Sequence, residues 1–326
     1  MPDYNLLDAV NLALKRALTE DDRVVVFGED VGVDGGVFRA TEGLLQAFGS
    51  ARVRDTPLAE TVIAGLAVGL AAQGMRPVAE IQFMGFIYST LDQMVNHASR
   101  LRTRTRGRLT CPMVLRAPYG GGIHAPEHHS ESTESMFAHV PGLKVVIPSS
   151  PRRAYGLLLA AIADPDPVVF LEPKRLYRSM RESFEDDGDA IELGRCFVAR
   201  EGSDLTFVTW GAMLAETLAA AEQLAVEGVE ADVIDVATLK HLDMATISAS
   251  VARTSRVVIV HEAAISGGYG AEIAARIAAE GLFDLVAPIV RVAGYDTVMP
   301  LPKLEHLYMP SVERIIDAAR ETLAYE

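Results

Sequence analysis

The chain has 326 residues, 49% of them hydrophobic, with 30 basic and 44 acidic side chains and a formal net charge of -14. This length and apolar content exclude a disordered chain and favour two domains. The acidic balance argues against nucleic acid binding and favours a basic partner. The sequence contains neither 18 consecutive apolar residues nor a basic, apolar leader at its start, so we expect a soluble, cytoplasmic protein without a membrane span.

Helical and strand patterns alternate through the first half of the chain. Apolar residues recur at helical spacing over residues 5–18, and residues 23–28 form a continuous apolar run typical of a buried strand. This alternation predicts a parallel sheet covered by helices, with ligands at the carboxyl ends of the strands. The other elements predicted in this half are strands at 77–81, 112–116, 143–147 and 168–171, and helices at 61–74, 87–100 and 151–163.

One helix is apolar on every side and begins next to a single carboxylate. Residues 61–72 carry no charge, and Glu60 precedes them directly. Such a helix must be buried, and the bare faces of Gly65 and Gly69 would let another helix, on this chain or a partner, cross closely. Glu60 has two interpretations. It is either an acid favoured by the helix dipole or a carboxylate whose pKa is raised by its apolar setting and which manages a proton.

A loop rich in glycine and histidine follows the predicted strand at 112–116. It contains Gly120, Gly121 and Gly122, and three of the chain's eight histidines, at 124, 128 and 129. A histidine here could act as a second acid–base group or simply as a hydrogen-bonded loop residue. A metal site is the weaker alternative, because adjacent histidines point in different directions and no third ligand has suitable spacing.

The second half is a plainer α/β series. Its strands are predicted at 205–209, 231–236, 256–260 and 289–292, and its helices at 213–227, 243–253, 268–280 and 311–323. An acid-rich stretch without apolar periodicity separates the halves, which predicts domains at 1–181 and 199–326 with a linker at 182–198. The residues alone therefore predict an α/β protein with a candidate acid–base site and go no further.

Six motifs occur in a fixed order along nearly the whole chain. They are FGEDV at 27–31, DTPLAE at 55–60, EIQF at 80–83, HSES at 129–132, GLKVVIP at 142–148 and LEPKRLYR at 171–178. Together they resemble the beta subunit of the E1 component of 2-oxo acid dehydrogenase complexes, in the transketolase-like thiamine-diphosphate superfamily. The resemblance implies an α/β fold of two parallel-sheet, three-layer domains, a transketolase-like pyrimidine-binding domain followed by a transketolase C-terminal domain.

The resemblance also implies partners and cofactors. Two such chains would join two alpha subunits in an alpha2beta2 heterotetramer, with thiamine diphosphate between the subunits and its diphosphate and Mg2+ held mainly by alpha. The sequence agrees, because it lacks the Gly-Asp-Gly and Asn pattern of a diphosphate site. The second domain would pair with another beta subunit and offer an acidic surface to the subunit-binding domain of E2, whose lipoyl domain accepts the acyl group.

Site residues carry over from the resemblance position by position. Glu60 matches the glutamate that hydrogen-bonds N1′ of the cofactor's pyrimidine and favours its imino tautomer. Phe86 matches the aromatic residue that packs on the pyrimidine, and Leu58 and Gln82 match cofactor contacts. His129 matches a histidine assigned to the active-site channel and to acyl transfer. Glu131 departs from the family pattern, where many relatives carry glutamine.

A second region matches the place where some relatives hold a structural K+. Its ligands would be carbonyl and carboxylate oxygens, which suit hard cations, although acids beside prolines are equally typical of a plain loop. The residues concerned are Cys111, Met113, Val114, Ala161, Asp164 and Asp166.

Motifs in the sequence favour two different substrates. EHHSESTES at 127–135 and EPKRLYR at 172–178 look more like members acting on branched-chain 2-oxo acids, whereas GGGIH at 120–124 looks like bacterial pyruvate members. We expect branched-chain 2-oxo acids first and pyruvate second. Two other functions stay open at this point: a non-catalytic scaffold subunit, and a self-sufficient transketolase-like enzyme, which the missing diphosphate motif disfavours.

Overall fold

The structure is a computed structural model, and it describes residues 1–325. The chain forms two compact units. The first comprises Met1–Tyr119 and Met136–Leu193, and the second comprises Gly120–Ser135 and the chain from Gly194 onward. The division after Leu193 lies within the stretch that the sequence suggested as a linker. The membership of residues 120–135 in the second unit was not indicated by any local pattern.

The first unit is built on a fully parallel sheet. Its six strands lie in the order β6-β7-β5-β4-β2-β3, and β1 and β8 form a separate antiparallel pair. The strands are β1 (Asp3–Tyr4), β2 (Val24–Gly28), β3 (Val53–Asp55), β4 (Arg76–Glu80), β5 (Val114–Tyr119), β6 (Lys144–Val146), β7 (Val168–Pro173) and β8 (Glu182–Ser183). The helices are α1 (Leu6–Glu20), α2 (Leu44–Phe48), α3 (Glu60–Ala72), α4 (Leu101–Arg104), α5 (Glu134–Ala138), which spans the boundary between the units at residue 135, and α6 (Pro151–Ala163).

Sequence patterning explains why these elements form. Every residue of β2 is buried, as expected for a parallel strand covered on both faces. Helix α1 begins with a capping box, in which the Asn5 side chain accepts from the Asp8 N–H and the Asp8 carboxylate accepts from the Asn5 N–H. Helix α6 begins with Ser150 as its N-cap and Pro151 in its first turn. The strand order reverses direction beside β2, and at such a point the carboxyl ends of the neighbouring strands are where open α/β sheets usually bind ligands.

The second unit contains a five-stranded sheet in the order β14-β13-β10-β11-β9. It is parallel apart from β9, which runs antiparallel to β11. The strands of this sheet are β9 (Phe197–Arg200), β10 (Leu205–Thr209), β11 (Ala231–Asp235), β13 (Val257–Ala264) and β14 (Val290–Gly294). The short strand β12 (Thr238–Lys240) also belongs to this unit but lies outside the five-stranded sheet. Its helices are α7 (Met213–Val226), α8 (Met244–Thr254), α9 (Gly270–Gly281), α10 (Glu305–Tyr308) and α11 (Val312–Leu323).

The predicted fold class is confirmed, but one predicted helix differs. Instead of one regular helix over 87–100, the chain has a 3-10 helix at Met84–Thr90, a π-helical turn at Gln93–His97 and another 3-10 turn at Ala98–Arg100 before α4. Apolar spacing reports which face is buried and cannot distinguish these helical types. Among residues 1–325, no helix is long and apolar enough to cross a membrane.

Candidate active site

The predicted cofactor residues of the first unit lie at the carboxyl ends of adjacent parallel strands. Glu60 begins α3 shortly after β3, and Gln82 and Phe86 follow β4. Glu29, which was not among the predicted residues, follows β2 at the same edge of the sheet. Neighbouring loops are tied together by hydrogen bonds. The Asp55 carboxylate, at the end of β3, accepts from the Gly32 N–H at 2.6 Å and so fixes the loop that follows β2.

Glu60 is the first residue of α3 and is partly exposed. Its neighbour Leu58 is 82% exposed, which is unusual for a leucine. One face of α3 is buried, but Val62 is 60% and Leu66 is 40% exposed on another. The expectation that all sides of this helix are buried is therefore not met within the single chain. An additional Cβ at Gly69 would meet nothing within 4 Å, so this face is open to a partner.

Glu29 is a buried carboxylate that the sequence analysis did not single out. It is 2% exposed, and its Oε1 atom has no hydrogen-bond partner within the described chain. Burial raises the pKa of Glu29, the charge of Glu60 raises it further, and a hydrogen bond from the Ala59 backbone opposes both. An acid directly after a buried strand, in the FGEDV motif, was the signal that could have identified it.

Gln82 and a group of aromatic rings line the same edge of the sheet. The Gln82 side-chain amide donates to the Asp30 carboxylate at 2.7 Å. The Phe86 ring meets the Phe83 ring edge to face at 6.1 Å, and Phe83 in turn meets Phe38 at 5.5 Å. Leu58, Glu60, Gln82 and Phe86 therefore share one end of one unit, where a flat heterocycle would find an aromatic face and a carboxylate.

A buried ionic network lies within the same sheet. The guanidinium of Arg116 on β5 donates to Glu80 Oε2 on β4 at 2.5 Å and to both Glu172 oxygens on β7 at 2.7 and 3.0 Å. Tyr177 donates to Glu172 at 2.8 Å. Burial raises the pKa of Glu80, against the attraction of Arg116. Charged residues inside apolar strands were the only sequence signal for this network.

His129 lies in the second unit, in a 3-10 turn at Glu127–His129. Its backbone N–H donates to the Pro126 carbonyl at 2.9 Å, and the rings of His128 and His129 are 6.3 Å apart. The Gly121 N–H donates to the buried carboxylate of Glu262 at 2.9 Å. No group of three or more His, Cys, Asp or Glu side chains within residues 1–325 has the arrangement of a metal site.

Backbone hydrogen bonds in the first unit link segments that contain some of the residues considered for K+. The Cys111 N–H donates to the Pro165 carbonyl at 3.1 Å, and the Val168 N–H donates to the Met113 carbonyl at 3.0 Å. The two carboxylates are engaged by cationic side chains: Asp164 pairs with Lys144 at 2.5 Å. Asp166 pairs with Arg102 at 2.7 Å. The Ala161 carbonyl accepts from the Asp164 N–H at 3.4 Å.

Two family models cover the chain almost completely. The family described as "Transketolase, pyrimidine binding domain" matches residues 3–180, and that described as "Transketolase, C-terminal domain" matches residues 194–315. The pyruvate dehydrogenase E1 component subunit beta of Bacillus subtilis (strain 168) is 48% identical over 325 residues, covering 100% of both chains. The same subunit of Staphylococcus epidermidis is 47% identical with the same coverage. The chain belongs to the E1 beta subunits of the transketolase-like superfamily.

A solved structure gives the same fold for this E1 beta subunit. The chain described as "Split gene transketolase, inactive beta4 tetramer" superimposes with a TM-score of 0.82, covers 98% of both chains and is 24% identical. At that identity the likeness concerns the fold alone. The E1 beta assignment itself rests on the family matches and the relatives of nearly 50% identity. The predicted family is therefore confirmed, together with thiamine-dependent 2-oxo acid dehydrogenase chemistry as its general activity.

Proposed function

We propose that this E1 beta subunit, together with an alpha subunit, oxidatively decarboxylates pyruvate and reductively acylates lipoamide on E2. The choice of pyruvate as substrate rests on relatives that are 46–48% identical over the full chain and are named pyruvate dehydrogenase E1 component subunit beta. The branched-chain preference expected from two short motifs has no support from these relatives. GGGIH at 120–124, which favoured pyruvate, agrees with them.

The residues at the carboxyl edge of the first unit fit the pyrimidine half of thiamine diphosphate. A planar ring needs an apolar face and a polar group at its edge, and Phe86, the exposed Leu58 side chain and the Glu60 carboxylate provide these groups at one end of the sheet. The diphosphate and Mg2+ are assigned to the alpha subunit. When bound, thiamine diphosphate supplies an electron sink for the electron pair that the 2-oxo acid retains when CO2 leaves.

Glu60 would hold a proton at N1′ of the pyrimidine and thereby favour the imino tautomer. Its position at the first turn of α3 fixes the carboxylate on a rigid element rather than on a mobile loop. Glu29 supports this role indirectly. Burial and the charge of Glu60 both raise the pKa of Glu29, so Glu29 carries a negative charge beside Glu60 less readily than an exposed carboxyl group would.

His129 would act on the acyl group during its transfer to the lipoyl domain of E2. The histidine lies at the end of a one-turn helix in a hydrogen-bonded loop, so its backbone position is well defined. Imidazole suits this step because it can donate and accept a proton within the same pH range. Glu131, two residues further, remains the position at which this chain departs from many relatives.

The exposed side of α3 is the surface we assign to the alpha subunit. Val62 and Leu66 present apolar side chains there, and Gly69 allows close backbone approach. The second unit is assigned to a further beta subunit and to E2. The net charge of -14 favours the basic subunit-binding domain of E2 as that partner.

A structural K+ remains part of the proposal. The carbonyls of Met113 and Ala161 and the carboxylate of Asp164 lie in the connected segments 111–114 and 161–166. Lys144 competes with a cation for Asp164. We therefore expect K+ to raise the melting temperature more than equal concentrations of Na+, and Asp164→Asn to abolish the difference between the two ions.

The substrate proposal is tested by reconstituting this chain with its alpha subunit and comparing kcat/KM for pyruvate and 2-oxoisovalerate. A higher value for pyruvate supports the proposal. A higher value for 2-oxoisovalerate would retain the E1 assignment and restore the branched-chain preference. Activity of the chain without alpha would support a self-sufficient enzyme. Failure of the assembled tetramer to bind thiamine diphosphate would support a scaffold subunit.

A further inference from the structure

Two buried carboxylates of the second unit hold the glycine loop by its backbone. Glu262 on β13 accepts from the Gly121 N–H at 2.9 Å. Glu305 at the start of α10 accepts from the Gly122 N–H at 2.6 Å and from the His124 N–H at 3.0 Å. Both glutamates are 3% exposed. Backbone N–H groups bonded to carboxylates form the stronger class of hydrogen bond, so these contacts fix the loop firmly.

Glycine is required here by the closeness of the carboxylates. A Cβ added at Gly120 would lie 2.6 Å from both carboxylate oxygens of Glu262, and Gly120 also has a φ of +80°. A Cβ at Gly121 would lie 2.7 Å from the Met299 side chain and 3.3 Å from Glu305. The GGG sequence thus lets the backbone approach two anions that side chains would keep away.

The pinned glycine segment and the histidines belong to one closed loop. The Gly120 N–H donates to the Glu131 carbonyl at 3.1 Å and so closes residues 120–131 into a ring. Inside the ring, the Ser130 hydroxyl donates to the Pro126 carbonyl at 3.1 Å, and the His129 N–H donates to the same carbonyl. A displacement of the glycine side of such a short closed loop must move the histidine side.

Several acidic side chains lie near the buried Tyr308. Burial raises the pKa of Tyr308 to about 12, and the charges of Glu262, Glu134 and Glu131 raise it as well. The tyrosine is only 6% exposed. The buried Tyr308 side chain thus lies near Glu262 and Glu131, and Glu262 accepts a backbone hydrogen bond from the glycine segment of the loop.

We propose that Glu262 and Glu305 are positioning residues that set the place of His129 through the closed loop 120–131. Neither carboxylate is assigned contact with substrate or cofactor. Each acts through backbone hydrogen bonds on the segment that carries the histidine. The catalytic consequence rests on the proposed function of His129 in acyl transfer, whereas the structural consequence for the loop does not.

The test uses the reconstituted alpha2beta2 protein with Glu305→Gln and, separately, Glu262→Gln. Both substitutions keep side-chain size and one acceptor oxygen, and Glu321→Gln on α11, an exposed position, is the matched control. Hydrogen exchange of residues 120–131 and the rate of carbethoxylation of His129 report loop position without any catalysis. Decarboxylation with an artificial electron acceptor and acylation of a free lipoyl domain report the two chemical steps separately.

We expect faster exchange across 120–131, an altered His129 modification rate, and acylation reduced about 10- to 100-fold with decarboxylation less affected. In a His129→Ala background, the glutamine variants should cause no further loss of acylation. Unchanged exchange and modification in both glutamine variants would overturn the inference, as would an equal loss of acylation with and without His129. If His129→Ala alone leaves acylation intact, the proposed role of His129 fails, and exchange and modification alone then decide whether the two glutamates position the loop.

Discussion

Glu29 and Glu60 interact electrostatically at the carboxyl end of the first sheet. Burial raises the pKa of Glu29, and the nearby charge of Glu60 raises it further. Because the folded-state pKa exceeds that of the unfolded chain, the folded protein binds more protons between these two values. The contribution of Glu29 to stability is therefore favourable at low pH and is lost as pH rises through the raised pKa.

Replacement of Glu29 by glutamine should remove this loss. We expect Glu29→Gln to raise the melting temperature at pH 8 relative to the native chain, with a smaller difference at pH 5. Thermal unfolding across this range measures the effect, with the exposed Glu185→Gln as control. An identical pH dependence in the native and variant proteins would mean that Glu29 titrates as an ordinary carboxyl group.

The free energy of unfolding should depend strongly on the balance of charge in the buried Arg116 network. Arg116→Met would leave the buried carboxylates of Glu80 and Glu172 without their cation, and removing one partner of a buried pair costs about 3–5 kcal/mol. Denaturant unfolding measures this loss, and the exposed Arg108→Met provides the comparison. Adding Glu80→Gln and Glu172→Gln to Arg116→Met should restore part of the stability. No recovery would indicate that packing, rather than charge, explains the loss.

His261 should make the second unit sensitive to acid. The ring is fully buried and stacks on Trp210, with the ring centroids 5.1 Å apart. Burial lowers the pKa of His261 to about 4. As pH falls from about 6.5 to 4, this imidazole is protonated in the unfolded chain but stays neutral in the folded protein. The difference lowers the free energy of unfolding by about 3 kcal/mol.

The corresponding variant is His261→Gln, compared with His139→Gln at an exposed position. Whatever its effect on stability at pH 8, His261→Gln should flatten the fall in unfolding free energy between pH 6.5 and pH 4. His139→Gln should leave that fall unchanged. Equal slopes in the His261 variant and the native protein would contradict the assignment of a neutral, buried imidazole.

Gly120 and Gly43 form a matched pair for testing close approach in the glycine loop. Both have a φ of +80°, but a Cβ meets the Glu262 carboxylate at Gly120 and nothing within 4 Å at Gly43. Gly43→Ala should cost about 1–2 kcal/mol from backbone strain alone. Gly120→Ala should cost more and should also increase hydrogen exchange in residues 120–131. Equal effects on stability would argue against a steric requirement.

Local patterns predicted the regular elements well. Residues 205–209 form a strand as expected, and the expected helix at 151–163 is α6. These segments have one apolar period and clear end signals, such as Ser150 before Pro151. The irregular helical stretch at 84–104 was missed because its burial pattern does not record whether the backbone is α, 3-10 or π.

The sequence suggested candidate site residues only where they belong to one motif. Glu60 follows from DTPLAE, and His129 from the glycine and histidine loop. Contacts between distant segments could not be predicted from the sequence. Glu80, Arg116 and Glu172, for example, meet because β4, β5 and β7 pair in the sheet. In the same way, the contacts of Glu262 and Glu305 with residues 121–124 join positions more than 100 residues apart.

The proton-holding role of Glu60 is the central claim, and one comparison tests it most directly. Native and Glu60→Gln chains, each assembled with alpha, should be compared for thiamine-diphosphate binding and for CO2 release from pyruvate. We expect glutamine to preserve binding within about threefold while CO2 release falls about 100- to 10,000-fold, as for loss of a general acid–base group. Full CO2 release by Glu60→Gln, with the cofactor bound, would contradict the account.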